Sequence, residues 1–144
     1  MKTGEQIQEE IVEEFSLFDD WMDKYALIIE HGNSLEELDE KYKTPENIIE
    51  GCQSRVWLQT DYKDGKLYFK AESDAVIVKG LLALVLKVFS GRTPDEIIDT
   101  KLHFIEDIGL TEHLSPTRSN GLLSVIKQIQ FYAIAYKAKE QQGG

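Results

Sequence analysis

The sequence predicts an α+β fold in which several helices pack against a small antiparallel sheet of about three strands. Apolar residues recur at helical spacing towards both ends of the chain, whereas β-forming residues partly alternate with polar ones between residues 55 and 72. The segment 75–89 is apolar on almost every side. A helix of that kind belongs inside a domain, so we expect it to cross the sheet with other helices covering it.

Length and charge limit the classes of function. The 144 residues, 42% of them hydrophobic, are the size of one domain, which we expect to span 1–144. The net charge of -10 makes nucleic acid and anionic membrane surfaces poor partners, because both are bound by concentrated Lys and Arg. The segment 75–89 is also too short to span a membrane. We therefore expect protein partners, and the sequence leaves open whether the chain forms a homodimer.

Cysteine usage predicts the compartment. The chain has a single cysteine, which permits no internal disulfide, and residues 1–5 contain no apolar signal region. We therefore expect a cytoplasmic protein.

Two amphipathic helices are predicted at the start of the chain. Thr3 and Gln6 form a capping box before an apolar stripe that runs to residue 18. A second stripe begins after Asp19-Asp20 and ends at Gly32, which can adopt the left-handed conformation at a helix C-terminus. We expect the two helices to pack as a hairpin. A further capping box at Ser34 and Glu37 predicts a short third helix.

The middle of the chain is predicted to form strands. Residues 47–49 are read as a first strand and 55–62 as a second, with Cys52 at the bend between them. The Asp64-Gly65 dipeptide predicts a tight turn into a third strand over 67–72. These segments would form an antiparallel meander with one buried face.

Three helix starts are predicted after the sheet. Ser73-Asp74 is a suitable N-cap pair for the apolar helix at 75–89. Thr93-Pro94, with glutamate at position 96, opens a short helix. Ser115-Pro116 opens the final helix, whose apolar stripe extends to residue 136.

The chain lacks the motifs of metal and nucleotide sites. Its one cysteine and its histidines at 31, 103 and 113 have neither C-x-x-C nor H-x-x-x-H spacing, so we expect no zinc site. An iron–sulfur cluster takes about four protein ligands, most of them thiolates, and this chain has one thiol. Neither phosphate-cradle motif is present, so we expect no nucleotide cofactor.

Cys52 is the strongest candidate for chemistry, although a free cysteine is often a small buried hydrophobe. A thiolate is stabilised by a neighbouring cation, and Arg55 follows three residues later. Arg118 lies in the first turn of the final helix, where the helix dipole disfavours a cation, so its side chain is either solvent-exposed or directed at another group.

The cysteine motif resembles that of the SufE family of sulfur-acceptor proteins. The resemblance covers residues 34–130 and keeps four blocks in order: Gly51-Cys52-Gln53-Ser54-Arg55-Val56-Trp57, the segment from Ser73-Asp74-Ala75 to Lys79-Gly80-Leu81, Thr93-Pro94, and His113-Leu114-Ser115-Pro116-Thr117-Arg118-Ser119-Asn120-Gly121-Leu122. It implies a fold similar to that of IscU-type scaffold proteins without their cluster-ligand cysteines.

The resemblance also implies a function. In this family the loop cysteine accepts sulfur from the persulfide of a pyridoxal-phosphate-dependent, SufS-like cysteine desulfurase, stimulates that enzyme and passes the sulfur to an iron–sulfur scaffold complex. Cys52 would then be the persulfide carrier, and the protein would be a carrier and desulfurase activator that needs no cofactor of its own and has no independent turnover. A single thiol suits this role, because a second thiol would discharge the persulfide as a disulfide.

The remaining residues of the motif are assigned from the same resemblance. Arg118 matches the arginine of the family's last motif and would stabilise the thiolate or persulfide. The loop neighbours Gly51, Gln53, Ser54 and Arg55 would bind the partner or position the loop. Asp74 matches the family aspartate at the start of the central helix, where positioning the loop and capping the helix explain it equally well.

Two other functions fit the residues. Cys52 with His103 or His113 as a base would suit a thiol hydrolase or peroxidase, which needs the base within hydrogen-bond reach of the sulfur. An interaction module without chemistry would not need the thiol at all.

Overall fold

The fold is described from a computed structural model, which covers residues 2–49, 55–114 and 116–143 and gives the backbone alone at positions 111, 116–120 and 141–143. In chain order its helices and strands are α1 (Gly4–Ser16), α2 (Trp21–Asn33), two 3₁₀ turns (Glu40–Tyr42 and Pro45–Asn47), β1 (Val56–Lys63), β2 (Lys66–Ser73), α3 (Val76–Phe89), α4 (Pro94–Asp99), α5 (Phe104–Asp107), α6 (Leu110–His113) and α7 (Pro116–Gly143). The α+β class predicted from the sequence is confirmed.

The sheet is an antiparallel hairpin of β1 and β2. Asp64 and Gly65 both have positive φ, at 53° and 78°, as the tight turn predicted for this dipeptide requires. The turn pairs Lys63 with Lys66 and thereby fixes the register along both strands. The predicted first strand is reduced to one isolated bridge, between Ile48 and Trp57, so the part of the chain that the structure describes contains two strands.

Helix α3 packs on β2 and lies at the centre of the core. Nine of its residues are buried, which accounts for its nearly continuous apolar sequence. Helix α2 crosses it at a contact between two glycines, where a Cβ added to Gly32 would lie 2.9 Å from the backbone nitrogen of Gly80. A Cβ on Gly80 would in turn lie 2.5 Å from Ile28 Cγ2. The crossing therefore depends on the absence of side chains at both positions.

The region between α1 and the sheet differs from the prediction. Helices α1 and α2 meet where His31 stacks on Phe15 and its Nε2 lies 2.5 Å from Glu14 Oε1, and both helices pack on α3. The short helix predicted from Ser34 and Glu37 does not form. Ser34 is instead the C-cap of α2, where its hydroxyl donates to the His31 carbonyl oxygen at 2.7 Å.

The final helix packs on α3 and on α4. It begins at Pro116, as predicted. Within the described residues, no helix is both long enough and apolar enough to cross a lipid bilayer.

Candidate functional site

The segment that carries Cys52 is flanked by residues that pair with each other. The Ile49 backbone N–H donates to the Val56 carbonyl oxygen at 2.9 Å, one residue beyond the bridge between Ile48 and Trp57. Gly51, Cys52, Gln53 and Ser54 lie outside the described residues. Their two flanks are nevertheless fixed to one another, as the strands of a hairpin are fixed on either side of its loop.

Asp74 holds the downstream flank. Its Oδ1 accepts a hydrogen bond from the Arg55 backbone N–H at 3.1 Å, and its own N–H faces the Arg55 carbonyl oxygen at 3.4 Å. The predicted capping role is wrong: Ala75 is the N-cap of α3, and no side-chain hydrogen bond caps the helix. The carboxylate is engaged instead by the first described residue after the cysteine segment.

An ion pair between Lys43 and Glu72 lies near Ile48 and Ile49, which form the upstream flank of the cysteine segment. Lys43 Nζ is 3.0 Å from Glu72 Oε2, 3.0 Å from Glu40 Oε1 and 5.9 Å from the centroid of the Trp57 ring. Trp57 and Glu72 are direct partners across the two strands. The pKa of Lys43 is raised, first by its hydrogen bond to Glu40 and then by the neighbouring Glu72 carboxylate. The ammonium group therefore joins the chain upstream of Cys52 to the outer face of the hairpin.

Arg118 lies in the first turn of α7, as predicted, but its side chain is outside the described residues. Its predicted role beside the thiolate stays a prediction. The Arg55 side chain is exposed, while its backbone makes the two contacts with Asp74.

The two histidines considered as bases are both engaged elsewhere. His103 Nδ1 lies 2.5 Å from Asp107 Oδ2, and its Nε2 lies 2.8 Å from Glu5 Oε1. The His113 ring stacks on Trp21 with 3.7 Å between ring centroids. Two carboxylates on one imidazole favour its charged form, which cannot act as a base. The contacts of His103 thus favour a structural role.

A groove opens beside the upstream flank. It lies between residues 45–49 and α7 and has a volume of about 660 Å³. Ile48 and Phe131 contribute exposed apolar surface to it, at 39% and 60% of their full exposure, and Lys127 contributes a charge. Exposed apolar side chains along an open groove are typical of surfaces where a protein partner docks.

The pairing of Trp57 with Glu72 could be predicted from the sequence. The Asp64-Gly65 turn fixes the register, and counting outwards from Lys63 and Lys66 brings Trp57 opposite Glu72. The approach of Lys43 to that pair was not predictable, because it depends on how the irregular segment before β1 folds back over the hairpin.

Comparison with known proteins identifies the family. Residues 9–133 match the family model described as "SufE: Fe-S metabolism associated domain". An uncharacterized SufE-like protein of Rhizobium meliloti is 46% identical in an alignment of 128 residues that covers 85% of this chain and 91% of that protein. An uncharacterized SufE-like protein of Synechocystis is 38% identical over 133 residues, which are 92% of this chain and 84% of the relative. The resemblance drawn from the sequence motifs is confirmed.

The fold also has a solved counterpart. The solution structure of a hypothetical protein from Thermus thermophilus superposes with a TM-score of 0.73 at 18% sequence identity, over 90% of this chain and 94% of that one. This likeness concerns the fold alone.

Proposed function

Because the chain belongs to the SufE family, whose domain is associated with iron–sulfur metabolism, we propose that it carries persulfide sulfur on Cys52. The donor is a pyridoxal-phosphate-dependent cysteine desulfurase, which the carrier also stimulates, and the recipient is an iron–sulfur scaffold complex. The protein acts in the cytoplasm, without a cofactor and without turnover of its own.

The proposed transfer is a thiol–disulfide type of exchange. The Cys52 thiolate attacks the outer sulfur of the desulfurase persulfide, a new S–S bond forms on Cys52, and the donor S–S bond breaks. The donor cysteine leaves as a thiolate, so no external oxidant or reductant is consumed. Because the sequence contains one cysteine, no second thiol of the same chain can attack the new persulfide.

The observation that supports this proposal is the fixing of both flanks of the cysteine segment. The Ile49–Val56 hydrogen bond and the contacts of Asp74 with Arg55 fix Ile49 and Arg55, the described residues on either side of positions 50–54. A transfer reaction benefits from such restraint, because orienting the attacking group in advance lowers the entropic part of the barrier. The groove at Ile48 and Phe131 supplies apolar surface where the desulfurase can dock.

The proposal is tested by intact-mass measurement. The protein is incubated with a cysteine desulfurase and cysteine, and we expect the wild type to gain the mass of one sulfur atom, which a reductant removes. Cys52→Ser should gain none, and it should not stimulate the desulfurase, because the acceptor thiol is missing.

Two results would contradict the proposal. Equal sulfur uptake by Cys52→Ser would place the sulfur on another group of the protein. Equal stimulation of the desulfurase by Cys52→Ser and wild type, with no sulfur on either, would indicate an interaction module. The hydrolase or peroxidase alternative requires turnover without any desulfurase, which the same preparations can be assayed for.

A further inference from the structure

The segment 43–49 runs from Lys43 to the last described residue before the cysteine segment, and we call it the upstream arm. It contains the 3₁₀ turn Pro45–Asn47 and is braced against the residue that precedes it, since Asn47 Nδ2 donates to the Tyr42 carbonyl oxygen at 2.7 Å. At its far end the arm is joined to β1 by the Ile49–Val56 hydrogen bond. At its first residue, Lys43, it is joined to β2 by the ion pair with Glu72.

Both ends of the arm converge on Trp57. The Trp57 backbone forms the bridge with Ile48, and its ring lies beneath the ammonium group of Lys43. Glu72, which faces Trp57 across the hairpin, forms an ion pair with that ammonium group. The arm is therefore attached at two points to one cross-strand pair of the sheet.

The Lys43–Glu72 ion pair differs from the Lys43–Glu40 pair in its surroundings. The Glu72 side chain is 17% exposed, whereas that of Glu40 is 86% exposed and belongs to the 3₁₀ turn next to Lys43 itself. Breaking a partly buried pair leaves a charge without its partner in a poorly solvated place, whereas an exposed pair contributes little. The contact with Glu72 is also the one that links the arm to another element.

We propose that Lys43 and Glu72 are positioning residues for sulfur transfer, because their ion pair fixes the upstream arm on the hairpin and so sets where the cysteine segment begins. This inference rests on the proposed carrier function. Ile49 is three residues before Cys52, so a shift of the arm displaces the start of the segment in which the attacking sulfur lies. Displacement by about 1 Å can cost a positioned reaction about a hundredfold, and a partial loss of restraint costs less.

The test compares Glu72→Gln with Glu40→Gln, because both substitutions remove one carboxylate from Lys43. The rate of sulfur transfer from a desulfurase to the carrier is measured over a range of carrier concentrations. For Glu72→Gln we expect kcat to fall about tenfold while KM for the carrier stays near the wild-type value. For Glu40→Gln we expect both constants to stay within about twofold of wild type, since its ion pair is exposed.

Measuring kcat and KM separately distinguishes a loss of positioning, which lowers kcat, from a loss of folded protein. A variant that is partly unfolded contains fewer competent carriers, so its apparent KM rises while kcat at saturation is preserved. Lys43→Arg keeps the positive charge and should retain most of the transfer rate, whereas Lys43→Gln should behave as Glu72→Gln does. If Glu72→Gln does not fold, the comparison of Lys43→Gln with Lys43→Arg tests the same ion pair.

A second measurement keeps this inference distinct from the carrier proposal. The rate constant for alkylation of Cys52 by iodoacetamide is measured in the free protein, where no sulfur transfer is involved. We expect it to change at least about threefold in Glu72→Gln and Lys43→Gln and to stay unchanged in Glu40→Gln. If wild type accepts no sulfur, the carrier proposal fails while the alkylation rates still test the ion pair. Wild-type kcat and alkylation rates in both Glu72→Gln and Lys43→Gln would overturn the inference.

Discussion

Asp74 and Ser34 show how far single polar residues can be interpreted from sequence. Both occur where a polar side chain commonly caps a helix start, and both have other partners: the Arg55 backbone N–H for Asp74 and the His31 carbonyl oxygen for Ser34. Thr3 and Thr93, by contrast, form the predicted capping boxes. The difference is local, because a cap competes with any donor or acceptor that the folded chain brings equally near.

The contact of Asp74 with Arg55 leads to a prediction at the residue scale. In Asp74→Ala the Arg55 N–H loses its acceptor, which costs about 1 kcal/mol or less at this exposed position. We expect the downstream flank of the cysteine segment to open more often, so that iodoacetamide alkylates Cys52 up to roughly fivefold faster. Asp74→Asn is the matched control, since its amide oxygen can still accept the bond. Similar rates for the two variants would show that the hydrogen bond does not restrain the segment.

At the scale of elements, the helices and the hairpin follow from local patterns, and the third strand does not. Periodicity and caps located α1, α2, α3, α4 and the start of α7, and the Asp64-Gly65 turn located the hairpin. Residues 47–49 have strand-like composition, but they contain only the last residue of the 3₁₀ turn Pro45–Asn47 and one bridge, at Ile48. Whether a short apolar segment extends a sheet depends on the neighbours that it meets, which the sequence of the segment alone does not specify.

The crossing of α2 and α3 is likewise visible only once the helices are packed. A Cβ at Gly80 would overlap the Ile28 carbonyl oxygen, which is backbone and cannot rotate away. We expect Gly80→Ala to lower the free energy of unfolding by about 3 kcal/mol, because the helices must separate to admit the methyl group. Urea denaturation measures the loss. Lys87→Ala, at an exposed position of the same helix, is the control, and an equal effect of the two substitutions would contradict the close crossing.

At the scale of the whole molecule, buried polar side chains join distant parts of the chain. Gln8 is fully buried in α1; it accepts hydrogen bonds from the N–H groups of His103 and Phe104 and donates to the Lys101 carbonyl oxygen. Arg92, only 3% exposed, donates to the Lys2 carbonyl oxygen at 2.9 Å. Neither role was predictable from the sequence, because isolated Gln and Arg residues carry no periodic signal. They attach the first helix to the segments that follow α3.

We expect the contacts of His103, which lies between Glu5 in α1 and Asp107 in α5, to make the stability of the protein dependent on pH. The pKa of His103 is raised above the ordinary value of 6.5, first by Asp107 and then by Glu5, against the opposing effect of burial. A raised pKa means that the stabilisation is complete below about pH 6.5 and is lost as the pH rises through the pKa of the folded protein. We expect wild type to be more stable than His103→Gln in mildly acidic buffer and the difference to shrink at alkaline pH.

Urea unfolding of both proteins across this pH range measures the difference. Glu5→Gln, which removes one of the two carboxylates and keeps the imidazole, should show a weaker trend than wild type. Stability curves for wild type and His103→Gln that run parallel at all pH values would rule out the pH dependence.

The place of Trp57 has a practical consequence for observing the protein. The chain has only two tryptophans, and Trp21 stacks on His113 in another part of the molecule. Trp57 is bridged to Ile48, lies beneath Lys43 and faces Glu72. With Trp21 replaced by Phe, the remaining indole would be an intrinsic optical probe in contact with the upstream arm. Its fluorescence could then follow the docking of a partner in real time, without a label on the only thiol.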